Sequence, residues 1–163
     1  MNRRSFLLFS GLSAATTADV ARLLAQSRSE STGRTVEIEA VRIRGISDRG
    51  VHIFRGIPYG ASTEGANRFL PPRKPQPWPG VRDAFAYGQR AYQPFRPMIP
   101  EIGDALTGSG PMSEDCLRLN IWTPATGGGR RPVMVWFHGG GQRTGSGNSI
   151  FFDGRELARQ HDV

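Results

Sequence analysis

The alternation of apolar and polar positions predicts short β-strands in the first third of the chain. Val36–Glu39 and Val41–Arg44 both alternate, as half-buried strands do. The turn cluster Ser47–Gly50 follows, and Val51–Phe54 then alternates again. Two alternating runs around a short polar cluster indicate a β-hairpin.

Two later runs predict strands in different surroundings, followed by a helix. Leu117–Thr123 alternates, which is typical of a half-buried strand. Pro132–Phe137 is apolar throughout, which favours a strand covered on both faces in the middle of an α/β sheet. Asp153 as N-cap, with Glu156 closing a capping box, predicts a helix that runs to about Gln160.

The stretch between these strands is rich in proline. Proline cannot donate to a sheet ladder and breaks helices, so residues 57–100 are predicted to be extended coil wrapped over a surface. One buried strand also needs neighbours to cover its faces and pair its edges. Both observations predict that the chain is part of a larger domain. The prolines of the wrap include Pro71, Pro72, Pro75, Pro77 and Pro79.

The first residues have the layout of an export signal. Arg3 and Arg4 precede the uncharged, mostly apolar stretch Phe6–Ala18, and paired arginines are typical of the twin-arginine pathway. Residues 1–26 are therefore predicted to be an export signal and residues 27–35 a polar linker. Export would place the protein in the periplasm or outside a bacterial cell.

An amphipathic helix that ends near Ala25 is the alternative for the same segment. Asp19 and Arg22 interrupt the apolar stretch and favour it. In either case no apolar run reaches the roughly 20 residues of a membrane-spanning helix, so no stable membrane anchor is predicted.

Composition narrows the classes of partner. The 163 residues include 21 basic and 14 acidic side chains, for a net charge of +7. All the basic residues except Lys74 are arginines, and they are scattered rather than clustered as in nucleic-acid binders. A solvated surface is the simplest interpretation, and an anionic partner is the alternative. A single cysteine excludes an internal disulfide framework and a multi-cysteine metal site.

One sequence motif indicates a chemical function. The apolar run leads directly into His138, Gly139, Gly140 and Gly141. Glycines free the backbone, and converging N–H groups stabilise the oxyanion of an acyl-transfer intermediate. HGGG after a strand is the oxyanion motif of lipases and esterases. An ordinary glycine-rich turn is one alternative. A phosphate-binding loop is a weaker one, because no Gly-Lys-Ser/Thr ending follows and no helix begins at the glycines.

Further motifs occur in the same order as those of a known family. The chain resembles the N-terminal portion of the type B carboxylesterase and lipase family, which includes para-nitrobenzyl esterases and cholinesterases. The matching segments are Phe54–Gly60, Arg68–Phe69, Pro71–Pro72, Pro77–Ala84, Ser113–Pro124, Pro132–Gly141 and Phe152–Gly154.

The resemblance implies an α/β-hydrolase fold. Residues 36–163 would form its N-terminal hairpin region and the first strands of its central sheet. It further implies a serine carboxylesterase that hydrolyses small-molecule esters through an acyl-serine intermediate. Such an enzyme needs no cofactor or metal and has no nucleic-acid partner.

The resemblance also implies roles for individual residues. The N–H groups of Gly140 and Gly141 would be oxyanion donors, and His138 and Gly139 would support their loop. Arg55 and Glu114 would form a buried ion pair that ties the hairpin to the SEDCL segment.

Several positions depart from the family pattern. No Gly-x-Ser-x-Gly occurs, and its nearest likeness, Gly11–Ala15, falls within the predicted signal. The catalytic Ser, acid and His would all follow Val163, so the chain alone is expected to be inactive. Ala91 stands where the family often has a cysteine that pairs with Cys116, and Gln142 replaces an aromatic residue. A catalytically inactive remnant or interaction module is the alternative function.

Overall fold

A computed structural model describes residues 31–39, 41–94, 103–108 and 110–163. The predicted export signal and the first residues of the predicted linker lie outside the described residues.

The N-terminal strands form as predicted and are longer than their alternating cores. Strand β1 spans Ser31–Ile38, β2 spans Val41–Asp48 and β3 spans Val51–Pro58. Arg49 and Gly50 join β2 to β3 with φ of 47° and 81°. The predicted linker is wrong for residues 31–35, because they pair with β2 in an antiparallel ladder. Backbone pairing, which polar side chains do not prevent, decides their conformation.

Strands β4 (Val81–Asp83) and β5 (Arg118–Thr123) complete a mixed sheet. The order is β1-β2-β3-β5, and β1 covers one edge of β2. The other edge of β2 is shared: its last residues pair with β3 and its first with β4, which runs parallel to it. Strand β5 pairs antiparallel with β3, which confirms the strand predicted over residues 117–123.

The core lies on both sides of the β2–β3 pair. Ile43, Phe54, Ile57 and Ala84 form one buried cluster. Ile46, Val51, Ile53 and Ala158 form the other. Ala158, only 2% exposed, belongs to helix α2 (Arg155–His161), so this helix packs on the sheet through a small apolar residue. Helix α1 (Gly103–Thr107) is a short turn that precedes β5.

The proline-rich wrap is extended over most of its described length, as predicted. Between β3 and β4 it forms one short 3-10 turn, Gly65–Asn67. The Trp78 Nε1 donates to the Arg42 carbonyl at 3.1 Å and fastens the wrap to β2. Two parts differ from the predicted coil, because residues 57–58 end strand β3 and residues 81–83 pair with the edge of β2 as strand β4.

The apolar run Pro132–Phe137 does not form the predicted strand. Its side chains are exposed, with Val133 at 82% and Phe137 at 86%. Trp136 contacts the ring of Phe152. A strand of this composition needs partners on both edges and cover on both faces. No described residue of this chain pairs with the run, and therefore it forms no sheet ladder.

Helix α2 begins at Arg155 and ends at His161, close to the prediction, but its capping is different. Gly154 is the N-cap and makes no side-chain capping bond. The Asp153 carboxylate instead accepts the N–H of Arg155 at 2.9 Å. Glu156 does not close a capping box, because its carboxylate accepts hydrogen bonds from Arg159 and Gln160 on the helix surface.

Replacing Gly56 with alanine is expected to destabilise the sheet. Gly56 sits at an irregularity in the β3–β5 pairing with φ of 68°, and an added Cβ would lie 2.7 Å from the Ala86 carbonyl oxygen. The cost should exceed the roughly 1–2 kcal/mol of a left-handed residue. Urea unfolding measures it. Gly50→Ala is the control, with φ of 81° and open space around the new Cβ. Equal losses in the two variants would contradict the steric argument.

Candidate active site

The glycine motif forms a closed loop. The Gly140 carbonyl accepts hydrogen bonds from the N–H groups of Arg143 and Thr144, at 3.1 and 3.2 Å. Gly140 has φ of 120°, Gly141 of 59° and Gln142 of 60°. A Cβ on Gly140 would lie 1.9 Å from the Thr144 carbonyl oxygen. The turn is therefore compatible only with glycine at this position.

The two predicted oxyanion donors point to no protein acceptor. In the part of the chain that the structure describes, no group accepts a hydrogen bond from the N–H of Gly140 or Gly141. Both residues are exposed. Their N–H groups are therefore available to an oxygen atom of a ligand, as an oxyanion site requires.

His138 and Gly139 pack against the returning limb of the loop. The His138 Nδ1 lies 2.8 Å from the Gly139 carbonyl oxygen. Gly145, with φ of 103°, lies so close that a Cβ there would be 2.6 Å from that same oxygen and 2.7 Å from the His138 Nδ1. A supporting role for His138 and Gly139 agrees with this packing and stays a prediction.

The Glu114 carboxylate bonds to Arg68 of the wrap, with 2.5 Å between Nε and Oε1, and the Arg55–Glu114 ion pair stays a prediction. The reason is local, because Thr63 donates both its hydroxyl and its N–H to the Glu114 carbonyl and holds this residue beside the wrap. Arg55 donates to the Phe85 carbonyl at 3.3 Å and lies over the Tyr87 ring.

Three side-chain amides hold the limb that follows the glycines, and none of them was predicted from the sequence. Gln93 bonds to the backbone of Gly145. Asn120 donates to the Gly147 carbonyl and Asn148 to the Gly88 carbonyl. Asn120 lies within the matched segment Ser113–Pro124. Its contact with Gly147 depends on the tertiary structure, however, and no spacing in the sequence indicates it.

The described residues offer few other features that indicate a nucleophile, a metal site or a membrane span. Cys116 is half-buried, and burial raises the pKa of its thiol, so it is poorly suited to act as a nucleophile. Among the described residues, no group of three or more His, Cys, Asp or Glu side chains could hold a metal ion. No helix in the described ranges is long and apolar enough to cross a membrane.

A charge network around the buried Asp48 anchors helix α2 to the end of β2. Arg155 bonds to Asp48, which is 2% exposed at the end of β2, and to Asp153. Burial would raise the pKa of Asp153, but the hydrogen bonds from Arg155 outweigh it and lower that pKa. The Asp153 carboxylate is therefore held in the charged form.

Solved structures define the class of protein. The chain aligns with a carboxylesterase of Geobacillus stearothermophilus with a TM-score of 0.68 and 41% identity. The alignment covers 79% of this chain and 24% of that one. A para-nitrobenzyl esterase structure gives a TM-score of 0.71 and 37% identity, covering 81% and 26%. These are esterases of the α/β-hydrolase fold, which confirms the predicted fold class.

The chain belongs to the carboxylesterase family, whose model matches residues 32–163. It is 46% identical over 120 residues to phenmedipham hydrolase of Pseudarthrobacter oxydans, covering 73% of this chain and 24% of that protein. It is 37% identical over 132 residues to para-nitrobenzyl esterase of Bacillus subtilis, covering 81% and 26%. The chain thus spans about a quarter of the length of these curated relatives.

Proposed function

We propose that residues 32–163 supply the oxyanion loop and N-terminal sheet of a carboxylesterase that acts on small-molecule esters. The observation that carries the proposal is that Gly140 and Gly141 are exposed residues and that no described residue accepts a hydrogen bond from their N–H groups. The export signal predicted over residues 1–26 would place this activity in the periplasm or outside the cell.

The proposed chemistry is acyl transfer to a serine. The serine oxygen adds to the ester carbonyl, and the negative charge that develops on the carbonyl oxygen is stabilised by the two glycine N–H groups. Collapse of this intermediate expels the alcohol and leaves an acyl-serine, which water then hydrolyses to the acid. The sequence contains no Gly-x-Ser-x-Gly motif. The catalytic serine and its partner side chains are therefore proposed to lie outside these 163 residues.

Ester hydrolysis by the protein expressed from its complete coding sequence tests the proposal. Suitable substrates are para-nitrophenyl esters, para-nitrobenzyl esters and phenmedipham, the last two after the names of the relatives. A fluorophosphonate probe should label one serine and abolish turnover. Absence of both hydrolysis and labelling would overturn the proposal and favour the catalytically inactive interaction module.

A further inference from the structure

We propose that Gln93 is a positioning residue for the oxyanion loop, an inference that rests on the proposed function. Gln93 lies 52 residues before Gly145 in the sequence and belongs to the segment that follows β4. Its carboxamide holds the loop from outside, at the point where the loop turns back toward the glycines.

The contact is a two-way pairing of an amide with a peptide backbone. The Gly145 N–H donates to Gln93 Oε1 at 2.7 Å, and Gln93 Nε2 donates to the Gly145 carbonyl at 3.0 Å. The same nitrogen also donates to the Ala91 carbonyl at 3.2 Å. A carboxamide presents a donor and an acceptor together. Leucine at this position would lose both bonds, and glutamate would place an acceptor against two carbonyl oxygens.

Close packing of Gly145 against the loop also restrains the oxyanion donors. Its Cα stands so near to the Gly139 carbonyl and the His138 ring that there is no room for a Cβ. The Gly139–Gly140 peptide carries that carbonyl and also the Gly140 N–H. Movement of Gly145 would therefore release the peptide that bears the first donor.

The other two amides act further from the donors. Asn120 holds Gly147, and Asn148 joins the limb after the loop to Gly88. Among the described side chains, Gln93 is the one that bonds to Gly145 itself. Because the oxyanion forms in the transition state, loss of this restraint should lower kcat much more than it alters KM.

The test compares Gln93→Leu with Gln89→Leu in the protein expressed from its complete coding sequence. Gln89 is exposed and lies four positions upstream, so it serves as the matched control. Gln93→Leu should lower kcat by about tenfold to a hundredfold, since small misplacements of catalytic groups have effects of this size. KM should stay within about twofold. Affinity for a trifluoromethyl ketone, which mimics the tetrahedral intermediate, should fall in parallel with kcat.

The pH dependence of kcat in Gln93→Glu distinguishes a positioning role from a merely structural one. Protonation of the new carboxyl restores a donor, so its kcat relative to wild type at the same pH should rise as the pH falls towards the ordinary pKa of glutamate, about 4.3. All rates are divided by the number of active sites titrated with fluorophosphonate. An active wild type with unchanged kcat per site in Gln93→Leu would overturn the inference. A wild type without hydrolysis would overturn the proposed function instead.

Discussion

Gly140→Ala is expected to lower kcat for ester hydrolysis by about 10²–10³-fold, the usual effect of losing one oxyanion donor. With φ of 120° and the Thr144 carbonyl oxygen only 1.9 Å from the new Cβ, the turn must open to accept alanine. Opening it breaks the bonds to the Gly140 carbonyl and turns the N–H groups of Gly140 and Gly141 away from the oxyanion. Steady-state kinetics of the protein expressed from its complete coding sequence measure the loss.

Two glycine variants serve as controls for this prediction. Gly141→Ala meets open space, although φ is 59°, and should lose less activity than Gly140→Ala. Gly127→Ala lies in the exposed loop after β5, with nothing near its Cβ, and should keep full activity. Wild-type turnover per titrated site in Gly140→Ala would refute the assignment of this loop as the oxyanion site.

Arg155→Met is expected to destabilise the fold by up to about 3–5 kcal/mol, because it removes the guanidinium that bonds to the buried Asp48 carboxylate and leaves it the more distant Arg49 Nε, 3.9 Å away. Arg155 Nη1 lies 2.5 Å from Asp48 Oδ2, and Nη2 lies 2.8 Å from Asp153 Oδ2. Asp48 is 2% exposed, so its carboxylate has little access to water while Arg155 is in place. Denaturant unfolding measures the loss, which should appear as a lower midpoint.

The matched control is Arg159→Met, one helical turn further on. Arg159 pairs with Glu156 on the exposed surface, where such pairs contribute about 0–1 kcal/mol. Adding Asp48→Asn to Arg155→Met should recover part of the stability, since the buried charge is then gone. Equal midpoints for the two single variants would refute the argument from burial.

The same network predicts an acid dependence. The pKa of Asp153 is lower in the folded state than in the unfolded chain. The stabilisation that Asp153 contributes is therefore complete above its pKa in the unfolded chain, about 3.9. It is lost as the pH falls through the lower pKa of the folded state. The stability difference between wild type and Arg155→Met should accordingly narrow at acid pH.

Features that depend on near neighbours along the chain were predictable from the residues themselves. Alternation located the hairpin strands and β5, because side-chain period is a local property of a strand. Three consecutive glycines marked the loop proposed as the oxyanion site, because glycine readily adopts the positive φ seen at Gly140 and Gly141. Helix α2 was likewise evident from its own residues. The family motifs, in their order, indicated the α/β-hydrolase fold.

Tertiary structure alone decided which distant groups meet. Glu114 bonds to Arg68 of the wrap, since the hydrogen bonds from Thr63 hold it there. Gln93 reaches Gly145 across 52 positions, a pairing that no periodicity encodes. The apolar run Pro132–Phe137 has strand composition yet forms no ladder here. Its conformation depends on neighbouring strands as well as on its own residues, and a sheet ladder exists only where both members of the pair are present.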